Sequence, residues 1–188
     1  MSKPKAAVFA SGTGSNFQAI MEQPDLACDI ALLVSDQPGA KVIEKAKNNH
    51  VPTVIFQAKD YKDKRAYEEM LADKLMKAGV EWIFLAGYMR IVGETLLKKF
   101  EKRIVNIHPS LLPDFPGKDA IGEAFRAGVN KTGVTVHYID AGIDTGPVIA
   151  QAEVAVFPDD TEGTLKKRIQ RAEHRLYPEV IIQVLGKC

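Results

Sequence analysis

The sequence predicts an α/β fold: an open, mostly parallel, doubly wound sheet with helices on both faces and an antiparallel strand pair in the C-terminal half. Three observations predict it. Five short, continuously apolar runs are separated by longer amphipathic ones, the pattern of strands buried on both faces by helical crossovers. A glycine-rich turn follows the first run and leads into a helix. Two later apolar runs are joined by residues 140–147, a span too short to hold a crossover helix, which makes them an antiparallel pair.

In chain order, residues 6–10 (AAVFA) form a buried strand ended by Ser11-Gly12-Thr13-Gly14, after which a helix starts at Asn16. Residues 31–34 are a second strand, 40–49 a helix and 53–56 a third strand. Residues 61–78 are a long charged helix with Tyr67, Met70, Leu71, Leu75 and Met76 near helical spacing. Residues 82–86 make a fourth strand, 94–99 a short helix and 104–107 a fifth strand. Residues 109–117 hold three of the ten prolines and read as a loop, followed by a helix at 120–127. Strands at 133–138 and 148–156 form the antiparallel pair, and 161–185 is a closing helix.

Composition narrows the function classes. The 188 residues, 46% apolar and 26% charged, suit one compact domain with a full core. Twenty-five Lys plus Arg against 24 Asp plus Glu leave a net charge of +1, so no global field draws the chain to nucleic acid or an anionic membrane. Any anion must be met locally. The only cysteines are Cys28 and the last residue, Cys188, which argues against a disulfide-built secreted scaffold. The basic N-terminus lacks a signal-peptide apolar stretch, and no run approaches the roughly 20 residues of a membrane span, so a soluble cytoplasmic protein is expected.

Three stretches could carry chemistry. In Gly12-Thr13-Gly14-Ser15-Asn16-Phe17 the glycines allow close backbone approach, and the following helix start offers unpaired N–H groups to a phosphate. Ser15 and Asn16 can cap the helix or donate to that phosphate, although a capped tight turn without a ligand reads the same way. Phe17 stands where a dinucleotide fingerprint needs its third glycine, and no Gly-Lys-Ser/Thr follows, so a mononucleotide-type phosphate fits better. Asn106 and His108 lie two apart at the carboxyl end of the fifth strand, where ligands of open α/β sheets gather; they share a side and could bond one oxygen, or His108 could merely tie down the proline-rich loop. Asp140-Ala141-Gly142-Ile143-Asp144 supplies carboxylates that suit a turn or a partner for a histidine. His137 shares a strand face with Thr135, His50 reads as a cap at a helix end, and His174 lies on the final helix. A zinc site from His108, His137 and Asp144 lacks any supporting ligand spacing, and no metal is expected. No nucleophile elbow or catalytic cysteine is evident, which favours direct transfer over a covalent intermediate.

The runs SGTGSNFQAI at 11–20, AGYMRI at 86–91, NIHPSLLP at 106–113, and GVTVH at 133–137 with DTGP at 144–147 together resemble the folate formyltransferase and hydrolase superfamily, and within it the phosphoribosylglycinamide formyltransferase family. The resemblance runs from about residue 5 to 185 and implies one formyltransferase domain over residues 1–188, working in purine biosynthesis and one-carbon metabolism. It implies 10-formyltetrahydrofolate as co-substrate, glycinamide ribonucleotide as acceptor, no metal, and a monomer or homodimer. Asn106, His108 and Asp144 match the family's catalytic trio. Thr13, Gly14, Ser15, Asn16 and Phe17 match the loop for the ribose phosphate, and Gln170, Arg171, Ala172 and Glu173 a second substrate segment. Arg65, Met89, Arg90, Ile91 and Val92, with Asn106 and residues Asp140, Ala141, Gly142, Ile143 and Asp144, match the segments around the folate; Arg65 and Arg90 are expected to meet its anionic groups. The chain departs from many members at Lys118-Asp119, where they carry Gly-Leu-His or a similar run.

The sequence also admits two other readings. Water in place of the amine would make the protein a formyltetrahydrofolate hydrolase, although such relatives usually carry an added N-terminal domain. A non-catalytic nucleotide-binding module would use the Gly12 loop, with Asp36 about twenty residues on as its ribose-binding acid; the phenylalanine at position 17 argues against it.

Overall fold

A computed structural model describes residues 2–186. Seven strands form one sheet: β1 (Lys5–Phe9), β2 (Asp29–Ser35), β3 (Thr53–Ile55), β4 (Val80–Leu85), β5 (Ile104–His108), β6 (Lys131–Tyr138) and β7 (Val148–Ala155), in the order β3-β2-β1-β4-β5-β6-β7. Strands β1 to β5 pair in parallel. The predicted pair β6/β7 is antiparallel, and β6 is antiparallel to β5 as well, so one reversed strand stands between two that share a direction.

Helices cover both faces. On one lie α1 (Ser15–Met21), α2 (Lys41–Asn48), α5 (Ala120–Ala127) and α6 (Glu162–Leu185), packed on a core that includes Val8, Phe84, Val105, Ile107, Val134 and Val136. On the other lie α3 (Lys64–Lys77) and α4 (Glu94–Lys99), over Phe9, Ile83, Leu85 and Ile104. Strand period two assigns Val105 and Ile107 to the first face, and so sends Ile104, Asn106 and His108 to the second.

The long charged helix is shorter than residues 61–78. A 3₁₀ turn (Ala58–Asp60) precedes it, and α3 starts after Asp63, whose side chain accepts from Ala66 N–H at 2.8 Å. Its buried face is Tyr67, Glu68, Leu71, Ala72 and Leu75; Met76, expected on that face, is 58% exposed because the stripe turns away before it reaches position 76. The acid inside the stripe has work to do: Glu68 accepts from Gly93 N–H at 2.7 Å and reaches Leu96 N–H at 3.5 Å, closing the N-terminus of α4. Burial raises the Glu68 pKa, and those two N–H groups oppose the rise. The C-cap of α2 is Asn49, and not His50 as the sequence suggests; His50 follows it in the left-handed region at φ 57° with its N–H on Lys47 O.

The order of strands places a switch point between β1 and β4, whose connections leave the sheet in opposite directions and open a crevice at their carboxyl ends. Helix α6 is fastened under it by Tyr177, fully buried, whose hydroxyl lies 2.8 Å from Leu85 O and 3.1 Å from Val105 O. Tyr177→Phe leaves those carbonyls without this donor and is expected to cost about 1–3 kcal/mol, read as a loss of several degrees in Tm by calorimetry; an unchanged Tm would show that the hydroxyl does not anchor the helix.

Candidate active site

The β5/β6 register builds the site. Asn106 pairs with His137 and His108 with Thr135 across the ladder, so four polar side chains share the face that also carries Ile104. His108 is 5% exposed and His137 fully buried. His137 Nδ1 lies 2.8 Å from Tyr138 O, so it carries the proton there, and Nε2 is left to accept from Asn106 Nδ2 at 3.3 Å. That bond orients the Asn106 amide and leaves its second N–H available. Burial, the largest cause, pushes the His137 pKa below its ordinary value near 6.5.

His108 Nε2 donates to Phe115 O at 2.8 Å, while Nδ1 lies 3.6 Å from Asp144 Oδ2. Both ring nitrogens thus face acceptors, and an imidazolium can serve both. Asp144 arrives from the loop between β6 and β7 with φ 53°, and its Oδ2 accepts from Gly117 N–H at 2.9 Å. Its Oδ1 is 3.9 Å from His137 Nε2. The proline-rich loop is therefore part of the site, through the Phe115 carbonyl and the Gly117 N–H. Thr135 holds it in place: its Oγ1 donates to Ser110 O at 2.7 Å and accepts from Leu112 N–H at 3.0 Å and from Gln151 Nε2 at 2.9 Å. Past this loop Lys118 is exposed and Asp119 pairs with Arg126 at 2.5 Å, so neither belongs to the buried cluster.

A cleft of about 1330 Å³ opens on the same face, lined by Ile91, Val92, Leu97, Ile104, Ile139 and Asp140 among others. Asp140 and Ala141 form part of its wall, and the same loop then carries Asp144 onto His108. Within the loop the Asp140 carboxylate accepts from Gly142 N–H and Thr145 Oγ1, both at 2.8 Å, which shapes the turn and lowers its pKa. Met89, Ile91 and Ile143 are at least half exposed around this region, an unusual display for large apolar side chains.

At the switch point, Gly14 occupies the N-cap of α1 at φ 78°, and a Cβ there would stand 2.5 Å from Val42 Cγ2. The loop is thus pressed onto α2 and keeps the first N–H groups of α1 open. Neither Ser15 nor Asn16 caps the helix, contrary to one sequence expectation. Asn16 Nδ2 instead donates to Glu173 Oε2 at 2.8 Å, and Asn16 Oδ1 is buried with no partner among the described residues. Burial raises the pKa of Glu173, and the Asn16 amide opposes this. Phe17 is fully buried in the core, so only its backbone can face a ligand. On α6, Glu173 reaches this loop, while Arg171 lines a groove beside β7 and Ala172 packs on the core; helical spacing splits the segment 170–173 between faces.

Both arginines expected at the folate are already paired. Arg65 is bonded to Glu69 at 2.9 Å on the exposed face of α3, and Arg90 Nε is 2.9 Å from Asp36 Oδ2. Asp36 itself is 3% exposed and is held by Ser11 and Arg90, so it cannot serve as the ribose acid of a dinucleotide module. Cys28 is buried, with its thiol pushed up to about 12 by that burial, which removes it as a nucleophile; Cys188 lies outside the described residues. Among the described residues no group of three or more His, Cys, Asp or Glu is arranged to hold a metal ion.

A histidine clasped between a carbonyl and a carboxylate, with an oriented amide beside it at the carboxyl end of a doubly wound sheet, defines an α/β enzyme of acid-assisted group transfer. Comparison with known proteins agrees. Residues 4–181 match the family described as formyl transferase. The chain is 52% identical to phosphoribosylglycinamide formyltransferase of Bacillus subtilis over 97% of this chain and 95% of that one. It is 37% identical to the trifunctional purine biosynthetic protein adenosine-3 of Drosophila melanogaster, covering 98% of this chain but 14% of that protein. The crystal structure of glycinamide ribonucleotide transformylase 1 from Geobacillus kaustophilus superposes with a TM-score of 0.95 at 55% identity, over 98% of this chain and all of that one. The chain belongs to the formyl transferase family, and within it to the phosphoribosylglycinamide formyltransferases.

The buried, neutral His137 sets a pH dependence. The unfolded chain takes up the imidazole proton near pH 6.5 and the folded chain only at lower pH, so stability falls as pH drops from about 6.5 toward the folded value. His174, also lowered by burial, contributes in the same window. Urea midpoints measured from about pH 7.5 to 5 are expected to decline less steeply in His137→Gln than in the unaltered protein, with His174→Gln as the parallel control; an unchanged slope would mean His137 does not titrate on unfolding.

Proposed function

We propose that the protein transfers the formyl group of 10-formyltetrahydrofolate to the primary amine of glycinamide ribonucleotide, as one formyltransferase domain working without a metal. The observation that carries the reading is the Asn106–His108–Asp144 centre beside the cleft, with the phosphate-type loop at the other end of the crevice. The folate occupies the cleft along Met89 to Val92 and Asp140 to Asp144. The acceptor's phosphate lies on the N–H groups of residues 13–17, and Glu173 with the unpartnered Asn16 Oδ1 meets the polar atoms of its ribose and glycinamide.

The amine attacks the formyl carbon and gives a tetrahedral intermediate. Its oxyanion is stabilised by the free Asn106 N–H and by protonated His108, whose ring Asp144 holds by charge pairing. Phe115 O fixes Nε2 at 2.8 Å, so the proton leaves from Nδ1, which the longer 3.6 Å approach to Asp144 keeps available, and passes to the folate nitrogen as its bond to the formyl carbon breaks, while the proton given up by the attacking amine returns to Nδ1. Among the described residues no helix is long and apolar enough to cross a membrane. A cytoplasmic monomer or homodimer acting on small metabolites, with no nucleic-acid or membrane partner, suits the near-neutral charge.

Formation of the deformylated folate, followed by absorbance, tests the assignment, and leaving out the amine substrate tests for hydrolysis. His108→Ala and Asp144→Ala are expected to lose most turnover while both substrates still bind, and Asn106→Ala to lose about 10²–10³ in kcat. Near-normal turnover by either of the first two variants would refute the roles given.

A further inference from the structure

The segment between β4 and α4 has no regular structure, yet Ile91 and Val92 line the cleft. Side chains from elsewhere hold it. Lys64 Nζ donates to Ile91 O at 2.8 Å and Glu68 takes Gly93 N–H. The other end is held by one buried carboxylate: Asp36 Oδ1 accepts from Ser11 Oγ at 2.5 Å, and Oδ2 accepts from Arg90 Nε at 2.9 Å. Ser11 Oγ in turn accepts from Met89 N–H at 2.9 Å, and Ser11 N–H donates to Gly87 O at 3.0 Å. The bonds close a ring through Asp36, Ser11, Met89 and Arg90 across the switch point.

This ring leaves Arg90 in a particular state. Its Nε edge is tied to Asp36, its guanidinium carbon lies 5.9 Å from the centre of the Tyr67 ring, and its side chain is still 35% exposed. A guanidinium held on one edge presents the remaining N–H groups in a fixed direction, which a carboxylate can meet with little further loss of side-chain freedom. We infer that Asp36 is a positioning residue for folate binding: it aims Arg90 and, through Ser11, sets the Met89–Arg90 backbone, so that Arg90 receives a carboxylate of the co-substrate's glutamyl tail. The inference rests on the folate reading above and assigns to Asp36 an effect on folate affinity and none on the chemical step. Asp36 lies at the carboxyl end of β2, where a dinucleotide-binding protein would offer a ribose acid; here that position serves the second substrate through a cation.

The test is steady-state kinetics with each substrate varied in turn. Asp36→Asn can no longer accept from both Ser11 and Arg90 as a carboxylate, and the expected result is a rise of about tenfold in KM for 10-formyltetrahydrofolate, with kcat and the KM for glycinamide ribonucleotide within about twofold. Arg90→Gln is expected to show the same rise, and the Asp36→Asn/Arg90→Gln double variant clearly less than the product of the two single rises, because Asp36 acts in large part through Arg90. Arg90→Lys, which keeps the charge and gives up the planar Nε donor, carries the test should Asp36→Asn fail to fold, and it too is expected to raise the folate KM. An unchanged folate KM in Asp36→Asn or Arg90→Lys, losses that multiply in the double variant, or a fall in kcat with the folate KM intact would each overturn the inference. Absence of formyl transfer by the unaltered chain would instead strike the function reading, and this inference with it, before any substitution is compared.

Discussion

The register of β5 against β6 is the constraint on which the site depends. A parallel strand at the end of a sheet would leave Asn106 and His108 projecting into the crevice without neighbours to orient them. The reversal at β6 lays His137 against Asn106 and Thr135 against His108. Because side chains alternate, a one-residue slip would bring Val134 and Val136 to this face and bury the polar pair. Both valines are fully buried in the core beneath α6. Apolar burial on one side of the sheet therefore sets the polar geometry on the other, and the hydrogen bonds inherit a placement they did not have to create.

Main-chain groups complete what the side chains begin. The loop after β5 supplies a carbonyl to His108 and an N–H to Asp144, and it can do so only because Thr135 and Gln151 fix its path. Polar groups this deep are costly unless bonded, and each bond is correspondingly stronger than it would be in water. The same economy recurs at the buried acids. Asp36, Glu68 and Glu173 each accept from donors on other elements, so each ties one part of the fold to another.

Much of this was legible in the residues. Continuous apolar runs gave the parallel strands, and the short 140–147 connection gave the reversal between β6 and β7. The placement of Asn106 and His108 on one face followed from their spacing. The approach of Asp144 to His108 did not, because it depends on a loop that crosses from one strand pair to another. His137 carried a usable signal, since its alternation with Thr135 mirrors that of Asn106 with His108, but without the register nothing says that the two pairs meet. The Phe115 carbonyl and Gly117 N–H carry no side-chain signature at all. In sequence, Arg90 and Asp36 each suit chemistry with a ligand; their pairing joins positions 54 residues apart and is visible only in three dimensions. The apolar stripe of α3 was overextended at Met76 for the converse reason, as spacing alone does not say where a helix leaves its sheet.

Helix α4 has six residues, too few to persist alone, since the cost of nucleating a helix is recovered only over several turns. Its first turn is closed by Glu68 from α3, and its residues Leu97 and Lys98 line the cleft. The wall of the cleft is thus a single cooperative unit in which the shorter member borrows its persistence from the longer. In the vocabulary of native-state exchange, a six-residue helix whose first turn is closed by a carboxylate of α3 is expected to open together with that contact and not by fraying on its own.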